Sequence, residues 1–354
     1  MALPVSPPVV PMLARLTREL PRDGFLYEPK WDGFRALVFR DGIDVDIRSR
    51  HRRPLARYFP ELAEAFLALP GDAFVLDGEI VVARGGRLDF PALMARLHPV
   101  PSRVERLRRE TPASFVGFDL LGAAGVDLRD SPFTERRTRL EDVLEPVRAP
   151  LHLTPITDDA DVAAEWLERF NGGGVDGIVC KHRDLRYEPG KRVMVKVKTE
   201  RTAECVVAGF RWKADRPELG SLVLGLYDDA GELRHVGVVT SFTESRRRAA
   251  LEEIRPFATS IEGHPWEHGF GLSRSPLGRL LGAAGRWDPA EMEMDWVPLR
   301  PELVAEVAYD QLDDHRFRHP ARFRRWRPDR PPDSCMLDQL DGEKAELPEL
   351  LGLE

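Results

Sequence analysis

In the stretch Arg192–Lys198 (RVMVKVK), valine recurs at every second position. Side chains alternate across a β-strand, so Val193, Val195 and Val197 face one way and Met194, Lys196 and Lys198 the other. A strand with one wholly apolar face belongs in a sheet whose other side must tolerate charge. Two ammonium groups side by side repel unless an anion lies between them. The stretch therefore reads either as part of a polyphosphate site or as a solvated edge strand.

Other segments extend this sheet pattern. "RALVFRDGIDVDIRSR" places an Asp41-Gly42 turn between apolar runs, with Ile43, Val45 and Ile47 alternating after it, and reads as a hairpin. "FVLDGEIVVARGGRLDF" is a strand running into a Gly85-Gly86 turn, and "SFVGFDLL" is short and apolar enough for a buried strand. Helical patterns fall near Pro91–Leu97, Pro132–Leu144 and Val162–Phe170. Strands interleaved with helices in this way indicate an α+β fold.

With 354 residues the chain is long enough for two domains. Beyond the boundary at Thr199–Thr202 the pattern turns mostly to strands ("ECVVAGFRW", "SLVLGLYDDAGELRHVGVV", "LVAEVAYDQL"), with one helix expected over Thr243–Phe257. Four or five short strands and one helix suit a small β-barrel of the OB type. The reading is a first domain over 1–200, a barrel over 201–335 with an irregular insertion at 261–295, and a tail at 336–354.

Charge excludes little. The net charge is -7, yet arginine clusters at Arg48–Arg57, Arg103–Arg109, Arg246–Arg248 and Arg316–Arg330 leave room for a basic groove on an acidic protein. The three cysteines form no CxxC pair, which argues against a disulfide framework and a cysteine-built zinc site. No apolar run is long enough to span a bilayer, and the N-terminus lacks the marks of a signal peptide. The expected location is cytoplasmic, with no membrane partner.

Arginine performs most cationic work here, and only seven residues are lysine. Lysine alone of the two can lose its proton and become a nucleophile. Lys30, in "EPKWDGFR", is therefore a candidate nucleophile or else an exposed lysine in a strand-to-loop turn that Asp32 caps and Gly33 serves. Glu79 sits on an otherwise apolar strand and needs a metal ion, a sugar hydroxyl or a salt bridge as partner. Asp176, in "VDGIVCK", repeats that arrangement with Lys181 five residues on. Phe118 is suited to stacking on a base or to the core.

Taken together and in order, these segments resemble the motif series of the covalent nucleotidyltransferases, which include ATP-dependent DNA ligases, RNA ligases and mRNA capping enzymes. "EPKWDGFR" resembles motif I, "SRHRRPL" motif Ia, "LDGEIV" motif III, "FVGFDLL" motif IIIa, "DGIVCK" motif IV, "VMVKVK" motif V and "RRWRPDR" motif VI. The series is most similar to that of compact, stand-alone bacterial ATP-dependent DNA ligases of the ligase-C type.

The resemblance implies a nucleotidyltransferase domain of antiparallel sheets with helices, followed by an OB-fold domain that closes over it by a hinge at Thr199–Thr202. It implies that Lys30 attacks the α-phosphate of ATP and carries AMP. Glu28 and Phe118 would form the adenine pocket, Arg35 and Glu79 would contact the ribose and nearby phosphate, and Arg50 would place a phosphate. Lys196 and Lys198 would bind the α-phosphate, Glu79 and Asp176 would hold Mg2+ or Mn2+, and Arg327, Asp329 and Arg330 would orient the pyrophosphate. Asp176 stands where the family more often has glutamate, and Arg330 where it usually has lysine.

The implied activity is sealing of nicks in duplex DNA. Little chain precedes Lys30, so the separate DNA-binding domain of larger ligases is not expected. That points to a monomeric repair enzyme working with other DNA-repair or end-joining proteins. The rival readings are an RNA ligase, a capping guanylyltransferase, or an OB-fold nucleic-acid-binding protein with an inactive transferase half.

Overall fold

The computed structural model describes residues 3–145, 148–169, 175–198, 200–213, 216–267, 296–313 and 315–340. Contacts divide the chain into two compact units, one containing Met1–Thr199 and the other Glu200–Gly342.

The first unit holds two sheets. One is ordered β1 (Leu13–Thr17), β12 (Arg192–Val197), β11 (Val175–His182), β2 (Phe25–Trp31). The other is ordered β10 (Leu151–Leu153), β8 (Ser114–Ala123), β5 (Ala73–Val81), β3 (Phe34–Asp41), β4 (Asp44–Ser49), with β9 (Val126–Asp127) also on β8. Pairing is antiparallel except at two edges, where β1 joins β12 and β10 joins β8 in parallel. The chain from β8 to β10 passes through α4 (Phe133–Leu144), a crossover of the kind a parallel pair needs. A small hairpin of β6 (Ala83–Arg84) and β7 (Arg87–Leu88) follows β5.

Alternation along β3 shows how the layers form. Ala36 and Val38 enter a core shared with α1 (Pro60–Ala68), α2 (Phe90–Ala95) and α4, while Leu37 and Phe39 enter one shared with Met194 of the other sheet. Both faces are dry, so the strand reads as an unbroken apolar run. On the far side of the first sheet, Tyr27, Ile178, Val195 and Val197 pack on Ala160 and Ala163 of α5 (Ala160–Arg169). Helices thus cover the outer faces and the sheets face each other.

The β3–β4 turn differs from expectation by one residue. Asp41 pairs with Asp44, so the connection is Gly42-Ile43, with Gly42 at φ 60° and Ile43 88% exposed at the tip. Glycine first in a two-residue turn is the arrangement that accepts a positive φ there. The sequence also concealed α1 and α3 (Pro101–Glu110), both of which begin with proline in the first turn.

In the second unit β13 (Arg201–Lys213), β14 (Arg216–Tyr227), β15 (Leu233–Ser241), β19 (Ala321–Trp326) and β16 (Trp296–Tyr309) close into a barrel. Closure rests on a short parallel seam between β15 and β19, where Val239 meets Ala321 and Ser241 meets Arg322. Helix α6 (Glu244–Ile254) buries Ala250, Leu251 and Ile254 in the barrel core. A two-stranded ribbon, β17 (Leu312–Asp313) and β18 (Arg316–Phe317), precedes β19.

The expected boundary is shorter than Thr199–Thr202, because Arg201 already opens β13; Thr199 itself lies outside the described residues. At the other end, Cys335 and Leu340 lie in the barrel core and Gln339 is hydrogen-bonded to Glu204, so the expected tail begins inside this unit. Most of the expected insertion, from residue 268 to 295, lies outside the described residues.

Candidate active site

A cavity of about 220 Å3 opens between the two sheets of the first unit. Its walls include Glu28 and Lys30 from β2, Arg35 from β3, Glu79 from β5, Phe118 from β8, Lys196 from β12 and Arg50 from the loop after β4. Seven of the twelve residues expected at a site therefore share one cavity. Strand alternation selects Arg192, Met194 and Lys196 on β12 and Val179 and Lys181 on β11, whereas four consecutive residues of β2, Glu28 to Trp31, reach the cavity. Lys198 follows the last residue of β12 and is not in the wall. Asp176 lies on β11, but its side chain falls outside the described residues.

Two motif glycines are fixed by crowding. A Cβ on Gly33 would stand 2.2 Å from the Ile80 carbonyl oxygen, and one on Gly177 2.1 Å from that of Val197. Gly33 thus permits close approach to β5, a tighter demand than the turn expected from sequence. Gly177 lies at φ 146°, a conformation side chains disfavour.

Arg35 donates two hydrogen bonds to Asp77, Nε to Oδ1 at 2.6 Å and Nη2 to Oδ2 at 2.7 Å. Tyr187 donates its hydroxyl to the same carboxylate at 2.6 Å. Burial alone would weaken the guanidinium's hold on its proton, but Asp77 outweighs it and the affinity rises. The Arg35 guanidinium lies 4.5 Å from the centroid of the Phe118 ring, and the Lys181 ammonium 5.0 Å from it. Phe118 is 9% exposed and lines the cavity, so it is both core and a stacking surface.

Glu28 is buried. Lys181 Nζ lies 2.8 Å from its Oε2 and also donates to the Phe118 carbonyl at 2.7 Å. Oε1 is buried and accepts no hydrogen bond. Burial raises the Glu28 proton affinity, and Lys181 and Arg137 oppose that rise. Asp77 and Arg137 lay outside the sequence reading of the site, and Lys181 stood in it only beside Asp176, since each acts through partners distant in the chain.

Burial pushes Glu79 up to about 8, against the pull of Arg35 and Lys30. A carboxyl held above its usual range in this way gains from a cation placed against it. Among the described residues no group of three or more His, Cys, Asp or Glu could hold a metal ion unaided. One or two carboxylates completed by phosphate oxygens and water is the donor set that magnesium accepts, so the residues present fit such an ion.

In the second unit Glu204 of β13 binds two of the three expected residues. Its Oε1 pairs with Arg327 Nη1, and its Oε2 lies 2.8 Å from Arg330 Nε. Asp329 takes Arg327 Nη2 at 2.8 Å, and this bond holds its carboxyl down to about 2.

The first unit thus gathers Glu28, Lys30, Arg35, Glu79, Phe118 and Lys196 in one cavity between paired sheets, and the second is a small barrel. The sequence model for "ATP dependent DNA ligase domain" matches residues 11–198, and that for "ATP dependent DNA ligase C terminal region" matches 215–330. The chain is 48% identical to DNA ligase C2 of Mycolicibacterium smegmatis, over 96% of each chain. It is 46% identical to DNA ligase C of Mycobacterium tuberculosis, again over 96% of each. A solved structure from work on Lig E DNA ligases superposes with a TM-score of 0.54 at 20% identity, covering 90% of this chain and all of the other, which shows the shared fold. The chain belongs to the ATP-dependent DNA ligases.

Proposed function

We propose that this ligase joins 5′-phosphate to 3′-hydroxyl ends at nicks in duplex DNA through AMP carried on Lys30. The observation that supports this most is the placing of Lys30 in one cavity with Glu28, Arg35, Glu79, Phe118 and Lys196. Neutral Lys30 Nζ attacks the α-phosphorus of ATP; the N–P bond forms as the bond to pyrophosphate breaks. Cations around Lys30 favour its neutral form and offset charge on the phosphoryl oxygens, where positioning and electrostatics supply most of the catalysis.

Lys196 and Lys198 are assigned to the α-phosphate, and Arg50 to a neighbouring phosphate. Arg35 and Glu79 are assigned to the ribose, and Arg327, Asp329 and Arg330 to the pyrophosphate. Phe118 offers its ring to the base. Glu28 Oε1, lacking a donor, is suited to accept from the exocyclic amine of adenine. Mg2+ or Mn2+ would be held by Glu79 and Asp176 and, when bound, would supply further positive charge at the phosphates. AMP then passes to the 5′-phosphate, and the 3′-hydroxyl displaces it.

The DNA-facing surface includes the loop Arg50–Arg53, whose Arg50, Arg52 and Arg53 are exposed. The setting we assign is cytoplasmic repair by a monomer acting with other DNA-repair or end-joining proteins. No helix among the described residues is long and apolar enough to cross a membrane.

The test is the intact mass of the purified protein after incubation with ATP and magnesium. The expected result is an AMP-sized increase that pyrophosphate reverses, GTP does not produce and Lys30→Ala abolishes. Protein free of bound AMP that forms no adduct with either nucleotide would refute the proposal.

A further inference from the structure

Glu28 meets cations from two different elements. Lys181 on β11 is hydrogen-bonded to one carboxylate oxygen, and Arg137 on α4 stands 3.8 Å from the other through Nη1. Arg137 is 7% exposed, and its Nε donates to Glu141 Oε1 at 2.7 Å. Both Arg137 Nη1 and Glu28 Oε1 are buried with no hydrogen bond. Leaving a buried acceptor without a donor is destabilising, and native structures rarely keep one idle. Here the bare oxygen belongs to a residue lining the cavity, while the guanidinium sits close enough to fix the charge without taking the oxygen's lone pair.

The other charged groups near Glu28 do not replace this arrangement. Asp119 on β8 lies 3.8 Å from Lys181 but is paired with buried Arg136 at 2.7 Å. The Cys180 thiol, pushed up to about 12 by burial and by Glu28, is neutral.

We propose that Arg137 is a positioning residue for base selection, holding Glu28 as an ionised acceptor that admits the amine of adenine and repels the carbonyl of guanine. This rests on the nucleotidyl-transfer reading of the cavity. Adenine presents an amine where guanine presents O6, so a carboxylate attracts the first and opposes the second. Without the guanidinium, Lys181 alone opposes the effect of burial, and Glu28 takes up a proton at higher pH. A protonated carboxyl can donate to guanine O6. Preference for ATP should then fall as the solution is acidified.

The experiment measures initial rates of protein labelling with ATP and with GTP across a series of buffers from acidic to alkaline pH, since burial raises the Glu28 proton affinity. Proteins compared are the natural chain, Arg137→Met, Arg137→Lys and Glu28→Gln. In Arg137→Met the ATP preference should drop about tenfold or more at the acidic end and recover at the alkaline end. Arg137→Lys should follow the natural protein, and Glu28→Gln should lose preference at every pH. Folded Arg137→Met that keeps its preference throughout, or slows equally with both nucleotides at all pH values, would overturn the inference. Should Arg137→Met not fold, Glu28→Gln with undiminished ATP preference would overturn it equally. Failure of the natural protein to label at all would instead strike the nucleotidyl-transfer reading beneath it.

Discussion

Arg35 and Asp77 form a two-point ion pair inside the first unit, with donor–acceptor distances of 2.6 and 2.7 Å. Asp77 is fully buried, so the pair fixes the plane of the guanidinium beside Phe118. Asp77→Asn removes the countercharge and leaves the Arg35 cation largely desolvated. Breaking a buried pair from one side costs about 3–5 kcal/mol. Denaturant unfolding of the free protein should show a loss of that order, and labelling by ATP should slow. An unchanged unfolding midpoint would mean that the pair is relaxed in solution.

The sequence showed the elements whose signal is local. Alternation exposed β12 and β4, an apolar run exposed β3, and Gly42 marked a hairpin whose turn lay one residue on. It did not show α3, whose arginines read as a charge cluster available to nucleic acid. In the structure Arg108 pairs with Glu64 and Glu105, Arg106 with Glu110, and Arg109 with Glu105. Arg248 pairs likewise with Glu244. Whether an arginine is spent on a neighbour depends on carboxylates brought in by the fold, and Glu64 lies on a different helix. For the same reason Lys30, Glu79, Lys181 and Lys196 could be singled out by residue type and strand context, whereas Asp77, Arg137 and Glu204 could not.

Among the described residues, Arg50, Arg52 and Arg53 have no carboxylate partner, and their loop is well tied down. Arg50 N donates to the Arg35 carbonyl at 3.1 Å, and Arg53 N to Ser49 Oγ at 3.0 Å. Arg52 holds φ 64°, which glycine adopts without strain. Each phosphate contact contributes about 0.9 to the slope of log affinity against log salt. Arg52→Gly with Arg53→Gln should lower that slope by about 2 for nicked duplex, leaving ATP labelling unchanged. An equal slope would place the DNA contacts elsewhere.

Glu204 joins Arg327 and Arg330 through its two oxygens, and Gln339 clasps its backbone on both sides, at 3.0 and 3.2 Å. Glu204→Gln keeps the size but loses the charge that orders both guanidiniums. Hydrogen bonds to charged groups contribute about 1.5–3 kcal/mol, so ATP labelling should slow about tenfold or more. Sealing of a nick that already carries AMP should not change. Equal slowing of both steps would show that Glu204 acts on the barrel as a whole.

His235 is 1% exposed in the second unit, and its Nδ1 accepts from Arg316 Nη2 at 2.7 Å. Burial, and then the Arg316 charge, hold the imidazole down to about 3 from its usual 6.5. Between those values the unfolded chain binds a proton that the native barrel refuses, so stability rises with pH across the window. It is fully present above 6.5 and declines as acid is added, until the folded imidazole itself titrates near 3. At about 1.4 kcal/mol per pH unit, acidification to about pH 5 should cost the barrel about 2 kcal/mol. His235→Gln can still accept from Arg316 but does not titrate, so its stability should fall less over the same range. Denaturant midpoints that decline in parallel for the two proteins would assign the acid sensitivity to other groups.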